Sequence, residues 1–187
     1  MATHIKYRFE GEFVPRLNHK SKKGETGWEV MKCPWLISIA QVAEQIVLDH
    51  LKKHDRDALG KVLMFKKVAD ETDVEDVRFC GTIFNAMALV GDLSDGYNHP
   101  HIDKRDLCSI IIMLGKDVSG GSTAYFDDDD VIVHKEAFQH GKYQVGPFEK
   151  VKHAGETWRG KRGILSLYTN RSMVEHFLKH GTKFLEE

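Results

Sequence analysis

The chain has 187 residues, enough for one well-buried domain and too few for two ordinary ones. Apolar residues make up 41% and charged residues 29%, the balance of a globular protein, and no apolar run approaches membrane-spanning length. A formal net charge of −1 gives bulk electrostatics no class of partner to favour.

The N-terminus, Met1-Ala2-Thr3-His4-Ile5-Lys6, lacks the apolar core of a signal peptide. A basic patch at Arg16, Lys20, Lys22 and Lys23, with a turn signal at Gly24, reads as a solvated loop; a nucleic-acid footprint is usually larger. From Leu36 to Leu51 the apolar residues Leu36, Ile39, Ala40, Ala43, Ile46, Val47 and Leu51 recur at helical spacing, and Gln41, Glu44, Gln45 and Asp49 fill the other face. This predicts an amphipathic helix packed on a sheet. The segment from Lys61 to Tyr168 reads as short strands between turns. Expected strands are Val62–Phe65, Thr82–Val90, Leu107–Leu114, Thr123–Phe126, Val131–His134, Lys142–Val145 and Gly163–Thr169, punctuated by Gly115, Gly120-Gly121, Gly141, Gly146-Pro147 and Gly160. Such a series predicts a sandwich or barrel carrying helices on one face. A short helix closes the chain, with Ser172 and Glu175 as a capping box, Val174, Phe177 and Leu178 as its apolar stripe and Gly181 as its stop. There is no repeat and no boundary, so residues 1–187 read as one domain. Cys33, Cys80 and Cys108, odd in number and widely spaced in apolar surroundings, read as buried thiols of a reduced intracellular protein, cytoplasmic or nuclear.

The chemistry concentrates in His101-Ile102-Asp103 and, fifty residues later, His153 followed by Arg162. Alternation puts His101 and Asp103 on one face of an extended segment with Ile102 on the other, so two ligands converge without backbone strain. Two imidazoles and a carboxylate are the set that holds non-haem Fe(II) on one face and leaves the opposite positions open. Eleven histidines make chance a competitor. His99 lies on the same face as His101 but has no carboxylate two residues on, and Pro100 bends the chain there. His134 and His140 flank a charged loop and are expected to face solvent. His176 and His180 stand one turn apart, a spacing that suits zinc, but without a third ligand nearby. His153 is expected after one strand and before another that begins with Arg162. The acidic run Asp127–Asp130 lacks the Gly and Glu of a calcium loop and reads as a solvated turn.

The order of helix, strands, H-x-D, a distal histidine and an arginine nine residues on resembles the Fe(II)/2-oxoglutarate-dependent dioxygenases, closest to their prolyl-hydroxylase-like and TET/JBP-like branches. The resemblance covers a catalytic core of about residues 82–169. It is carried by Asn98-His99-Pro100-His101-Ile102-Asp103, by Ser119-Gly120-Gly121-Ser122-Thr123-Ala124-Tyr125-Phe126, and by His153-Ala154-Gly155 through Gly160-Lys161-Arg162. It implies a mainly β fold, a double-stranded β-helix (jelly roll, cupin-like), with the N-terminal helix on the major sheet and a short C-terminal helix. It implies His101, Asp103 and His153 as catalytic iron ligands, with 2-oxoglutarate as co-substrate, O2 as oxidant and ascorbate as a reductant. Arg162 is implied as the partner of the distal carboxylate, with Ser166 adding a hydroxyl from the same strand face. Ser109, Ile111 and Met113 are expected to face the same pocket, Met113 standing where prolyl-hydroxylase relatives often carry a tyrosine. Asn85 resembles a polar residue that relatives place near the co-substrate; an in-sheet asparagine bonded to backbone is the alternative. Trp158 is expected to pack at the barrel mouth.

The activity so implied is hydroxylation of an unactivated C–H bond of a protein side chain or small metabolite, with succinate and CO2 as co-products. Three alternatives stay open: a nucleic-acid base (5-methylpyrimidine) oxidase, a cupin-like metalloenzyme using His99, His101 and His153 without a co-acid, and a non-catalytic metal-binding module. Neither the substrate nor the oligomeric state is legible.

Overall fold

A computed structural model describes residues 8–12, 34–71, 81–91 and 99–180. The basic patch Arg16–Lys23, Cys33, Cys80 and Gly181 lie outside the described residues.

Two helices come first, α1 (Pro34–His54) and α2 (Arg56–Glu71), with only Asp55 between them. Asp55 caps α2 by accepting the Ala58 N–H at 2.9 Å, a bond that holds its carboxyl below the usual carboxylate range. The stripe expected on α1 is present: Ala40, Ala43, Val47 and Leu51 are buried. On α2 the buried residues are Ala58, Val62, Phe65 and Ala69. This overturns the strand expected at Val62–Phe65. Four consecutive apolar residues do not distinguish strand from helix, whereas spacings of four, three and four do. Leu63 and Met64 stand on the exposed side, at 45% and 53%.

Among the described residues eight strands follow or flank the helices: β1 (Arg8–Glu12), β2 (Ala86–Gly91), β3 (Asp106–Gly120), β4 (Thr123–Phe126), β5 (Ile132–Glu136), β6 (Tyr143–Val145), β7 (Lys152–Gly155) and β8 (Trp158–Asn170). They form a five-stranded sheet in the order β1-β2-β8-β3-β6 and a three-stranded sheet in the order β5-β4-β7. His101 bridges to the free side of β7. The chain thus alternates between β2-β8-β3-β6 and a facing layer of His101, β7, β4 and β5. That winding is a double-stranded β-helix, a jelly roll closed without long free edges at its centre.

β3 and β8 pair over most of their length, with irregularities near Asp106 and between Lys116 and Ser119. Gly160 sits at the second of these with φ +96°, where a Cβ would lie 2.0 Å from the Asp117 carbonyl oxygen, so only glycine fits. Alternation sends Leu165, Leu167 and Thr169 of β8, with Cys108 and Ile110 of β3, toward the helices. They meet Ala43, Val47, Val62, Phe65, Val174 and Phe177 there as one buried cluster. The opposite face of β8, carrying Arg162, Ile164 and Ser166, turns toward the second sheet. The Cys108 thiol, pushed up to about 12 by burial, is an inert part of this core.

Two boundaries differ from expectation. Residues 82–85 are not strand: Glu44 of α1 accepts the Ile83 N–H at 2.9 Å and the Lys66 ammonium at 2.7 Å, tying this turn to both helices. The last helix, α3 (Arg171–His180), is capped by Asn170 rather than Ser172. Asn170 Oδ1 accepts from the Met173 N–H and the Ser172 hydroxyl at 3.2 and 2.7 Å. β8 runs straight into α3, so its last extended residue supplies the cap. Among the described residues no helix is long and apolar enough to cross a membrane.

Candidate metal centre

His101 and His153 meet as a bridge between neighbouring strands, with His101 N–H to His153 O at 3.0 Å and His153 N–H to His101 O at 2.9 Å. Residues that exchange both bonds in an antiparallel pair present their side chains on one face. The imidazole centroids are accordingly 4.5 Å apart. His153 therefore stands within a strand, β7, and β8 begins at Trp158, four residues before Arg162. Both points correct the expected boundaries; β7 is too short and too polar to show an alternating pattern.

Each imidazole is oriented by its own chain. His101 Nδ1 lies 2.9 Å from the His99 carbonyl oxygen, and His153 Nδ1 lies 3.0 Å from that of Val151. A carbonyl only accepts, so Nδ1 carries the proton and Nε2 keeps its lone pair in each ring. The Nε2 atoms flank the Asp103 carboxylate, at 3.7 Å from Oδ1 for His101 and 3.6 Å from Oδ2 for His153. The Asp103 backbone is anchored by its N–H to the Phe148 carbonyl at 3.0 Å. Such separations are too long for hydrogen bonds, yet atoms so spaced can each reach one cation at about 2 Å. Among the described residues these three form the one group of three or more His, Cys, Asp or Glu side chains placed to hold a metal ion.

Burial grades across the group: His153 is buried, Asp103 partly so and His101 exposed, so the ion position is covered from one side only. Burial is the leading cause that lowers the His153 pKa, keeping its Nε2 unprotonated for a metal at neutral pH. Phe148, buried, sets its ring 5.0 Å from that of His153 and 6.5 Å from that of Tyr125. Asp106, three residues past Asp103, is buried as well, and desolvation together with the Asp103 charge raises its carboxyl to about 8.

Arg162 is 7% exposed and lies between aromatic rings, its Cζ 4.6 Å from the Trp158 ring centre and 5.6 Å from that of Phe138. Nε and Nη2 are buried without a hydrogen-bond partner among the described residues. Burial lowers its pKa to about 10, so it remains a cation at neutral pH. Two glycines make room for it. A Cβ on Gly121 would stand 2.9 Å from Arg162 Cδ and Nε, and one on Gly155 3.6 Å from Nη2. Gly155 follows His153 by two residues on β7, so the guanidinium lies roughly 6.6 Å of strand rise beyond the metal ligand, on the same face.

Ser166 shares the face of Arg162, and the register pairs Ser109 with Tyr168, Ile111 with Ser166 and Met113 with Ile164, placing all three on the inter-sheet side of β3. Ser109 hydrogen-bonds the Asp106 carboxyl. Asn85 is bonded elsewhere: its Oδ1 accepts the Asn170 N–H at 2.6 Å at the head of α3, and its Nδ2 is buried without a partner. His134 and His140 are exposed, as expected. The rings of His176 and His180 lie 4.6 Å apart on α3, tilted by 38°. Asp127 turns inward on its own loop, accepting from the N–H groups of Asp129 and Val131 at 3.0 and 2.8 Å. A groove of about 530 Å³ between the end of α1 and the β5–β6 region includes Tyr125 and Gln144, but none of the metal ligands nor Arg162 lines it. Sequence reasoning did not reach Phe148, Phe138, Asp106 or the role of the glycines, because their importance lies in contacts between distant segments.

No protein-family model matches the chain, and no curated protein matches it in sequence. Among solved structures it is similar to an oxidoreductase of the 2OG-Fe(II) oxygenase family from Burkholderia pseudomallei, at 20% identity and a TM-score of 0.41, over 47% of this chain and 44% of that one. NgTET1 in complex with 5mC DNA matches at 16% identity and a TM-score of 0.44, over 57% of this chain and 42% of that one. A cupin-family protein with a double-stranded β-helix fold from Methanocaldococcus jannaschii matches at 9% identity and a TM-score of 0.33, over 48% of this chain and 74% of that one. The chain thus spans less than half the length of the first two. Its own strand order and the His101–His153 bridge identify the fold as a double-stranded β-helix.

Proposed function

We propose that this protein is an Fe(II)- and 2-oxoglutarate-dependent oxygenase that hydroxylates an unactivated C–H bond of a protein side chain or small metabolite, yielding succinate and CO2. One observation carries the reading: a His101–Asp103–His153 group open on one side stands beside a buried guanidinium with unpartnered donors. The three ligands alone suit several divalent metals. Arg162 narrows the choice, because a buried cation between aromatic rings and glycines lacks only an anion, and its planar fork matches a carboxylate. A dicarboxylate held by its distal end at Arg162 presents its 2-oxo acid end along β7 toward His153.

Bound iron, with the co-acid and O2, supplies the oxidising power for C–H hydroxylation. The chain supplies geometry and polarity. His101 and His153 offer fixed Nε2 lone pairs because their Nδ1 protons are held by backbone carbonyls. Asp103 contributes the single negative charge and is oriented by its own backbone bond to Phe148. Phe148 and Met113, both buried, keep water from the inter-sheet side. Ser166 and Ser109 are the hydroxyls available along the same interior faces.

The test is 2-oxoglutarate turnover by the iron-loaded protein, read as succinate released across prolyl and lysyl peptides, free amino acids and methylated DNA. Oxygen-dependent succinate release that disappears in His101→Ala and Asp103→Ala supports the assignment; release unchanged in either variant overturns it. Stimulation by methylated DNA alone identifies a base oxidase. Metal binding without any consumption of 2-oxoglutarate identifies a module that does not use the co-acid.

A further inference from the structure

Arg162 Nε and Nη2 find no hydrogen-bond partner among the described residues, but an indole lies against the guanidinium. Trp158 Nε1 is buried without a hydrogen-bond partner among the described residues, as are Arg162 Nε and Nη2. The indole ring centre lies 4.6 Å from the guanidinium carbon, so the three orphan donors belong to one small space. Gly121, Gly155 and Phe138, which also line it, bring no side-chain acceptor. Gly121 and Gly155 have no side chains, and Phe138 presents an aromatic ring at 5.6 Å. Buried indole N–H groups ordinarily find an acceptor, and a buried donor left unmade is costly. Three together mark a place for a group rich in acceptors and poor in donors. A carboxylate has two oxygens and about four acceptor sites, enough for the Arg162 fork and one further N–H.

We infer that the Trp158 indole Nε1–H is the second hydrogen-bond donor to the distal carboxylate of the dicarboxylate co-substrate, acting beside Arg162. This rests on the 2-oxoglutarate reading of the site. It assigns Trp158 two duties: its π face stacks on the guanidinium and limits its motion, and its N–H edge reads the anion. Met113, where a hydroxyl-bearing side chain is expected, leaves that second donor to be supplied from β8 itself. Both donors then come from one strand, four residues apart across the Gly160 irregularity. The pocket is consequently selective for an acid with a distal carboxylate, and a 2-oxo acid without one gains nothing from either residue.

The experiment uses the full chain loaded with Zn(II) in place of iron, so that binding is read apart from turnover. Trp158→Phe keeps an aromatic ring over the guanidinium and deletes only the N–H. It is expected to weaken 2-oxoglutarate binding about tenfold or more, the loss typical of a hydrogen bond to a charged group, with metal affinity unchanged. Binding of 2-oxobutyrate, which has no distal carboxylate, is expected to be equal in the two proteins. In the unmutated protein one of the three indole N–H resonances, the one absent from the Trp158→Phe spectrum, should move downfield and exchange more slowly when 2-oxoglutarate is added. That measurement is made on the unmutated protein, and the variant serves only to assign the resonance. A variant that binds 2-oxoglutarate like the unmutated protein, or an indole resonance that does not move, overturns the role of Trp158 while leaving Arg162 in place. Failure of the unmutated, metal-loaded protein to bind 2-oxoglutarate at all overturns the co-substrate reading itself.

Discussion

His101 and His153, fifty-two residues apart in the chain, exchange both backbone hydrogen bonds at 3.0 and 2.9 Å and hold their rings 4.5 Å apart. The metal group is therefore preorganised by the sheet. His101 is joined to the second layer through this bridge, and the ion would clamp the same pair a second time through the side chains. Binding should then appear as stability of the fold as well as affinity.

A divalent ion that binds only the native state stabilises it by RT ln(1 + [L]/Kd), about 2.7 kcal/mol at a hundredfold excess over Kd. For a chain of this length that is a rise of roughly 5–10 °C in the melting temperature. Thermal unfolding followed with and without Fe(II) under anaerobic conditions, or with Zn(II), measures it. Asp103→Ala is expected to abolish the rise while melting, metal-free, close to the unmutated protein. An undiminished rise in the variant would place the bound ion elsewhere, the His176–His180 pair being the obvious second candidate.

Asp106 gives the fold a pH dependence of its own. Its carboxyl stands at about 8, raised first by burial and then by the Asp103 charge. The native state thus holds a proton that the unfolded chain gives up near pH 4. Stability from this group is full below that pH and is lost as the pH rises through 8. Asp106→Asn keeps a partner for Ser109 and removes the titration. Metal-free urea unfolding should show the variant more stable than the unmutated protein by a few kcal/mol at pH 8.5, the gap narrowing steadily toward pH 4. Parallel curves across that range would mean that the native carboxyl is ionised in the usual way.

What could be read from the chain alone followed the range of each signal. The convergence of His101 and Asp103 is a property of three consecutive residues, so alternation sufficed. The helical stripe of α1 repeats over four turns and is plain, whereas Val62–Phe65, four apolar residues with no visible period, reads as strand unless Ala58 and Ala69 are joined to it as one repeat. Among eleven histidines His153 stands out by its place between two expected strands, the second beginning with Arg162, but its own strand is not legible, since Lys152–Gly155 has neither length nor alternation. Asn85, just outside β2, has its Oδ1 on the backbone N–H of Asn170, because β8 leads directly into α3 and brings the two asparagines together. The guanidinium cradle could not be read at all: Gly121, Phe138, Gly155 and Trp158 come from four segments and share only their distance to Arg162.

That cradle yields a paired prediction at two glycines of the same conformation. Gly121 has φ +73° and Gly141 φ +78°, so alanine at either position carries the left-handed strain, roughly 1–2 kcal/mol. Their surroundings differ. A Cβ at position 141 meets nothing within 4 Å, while at position 121 it stands 2.9 Å from Arg162 Cδ and Nε. Gly141→Ala should therefore lower the unfolding free energy by that strain alone and leave ligand binding unchanged. Gly121→Ala should lose a similar amount of stability and, in addition, displace the guanidinium from its place beside Gly155. With Zn(II) bound, calorimetric titration is expected to show 2-oxoglutarate affinity reduced tenfold or more in Gly121→Ala and unaltered in Gly141→Ala, with metal affinity equal in both. Equal 2-oxoglutarate affinity in the two variants would mean that the distal carboxylate is not held where Arg162 and Trp158, the two side chains a Cβ at position 121 would crowd, now lie.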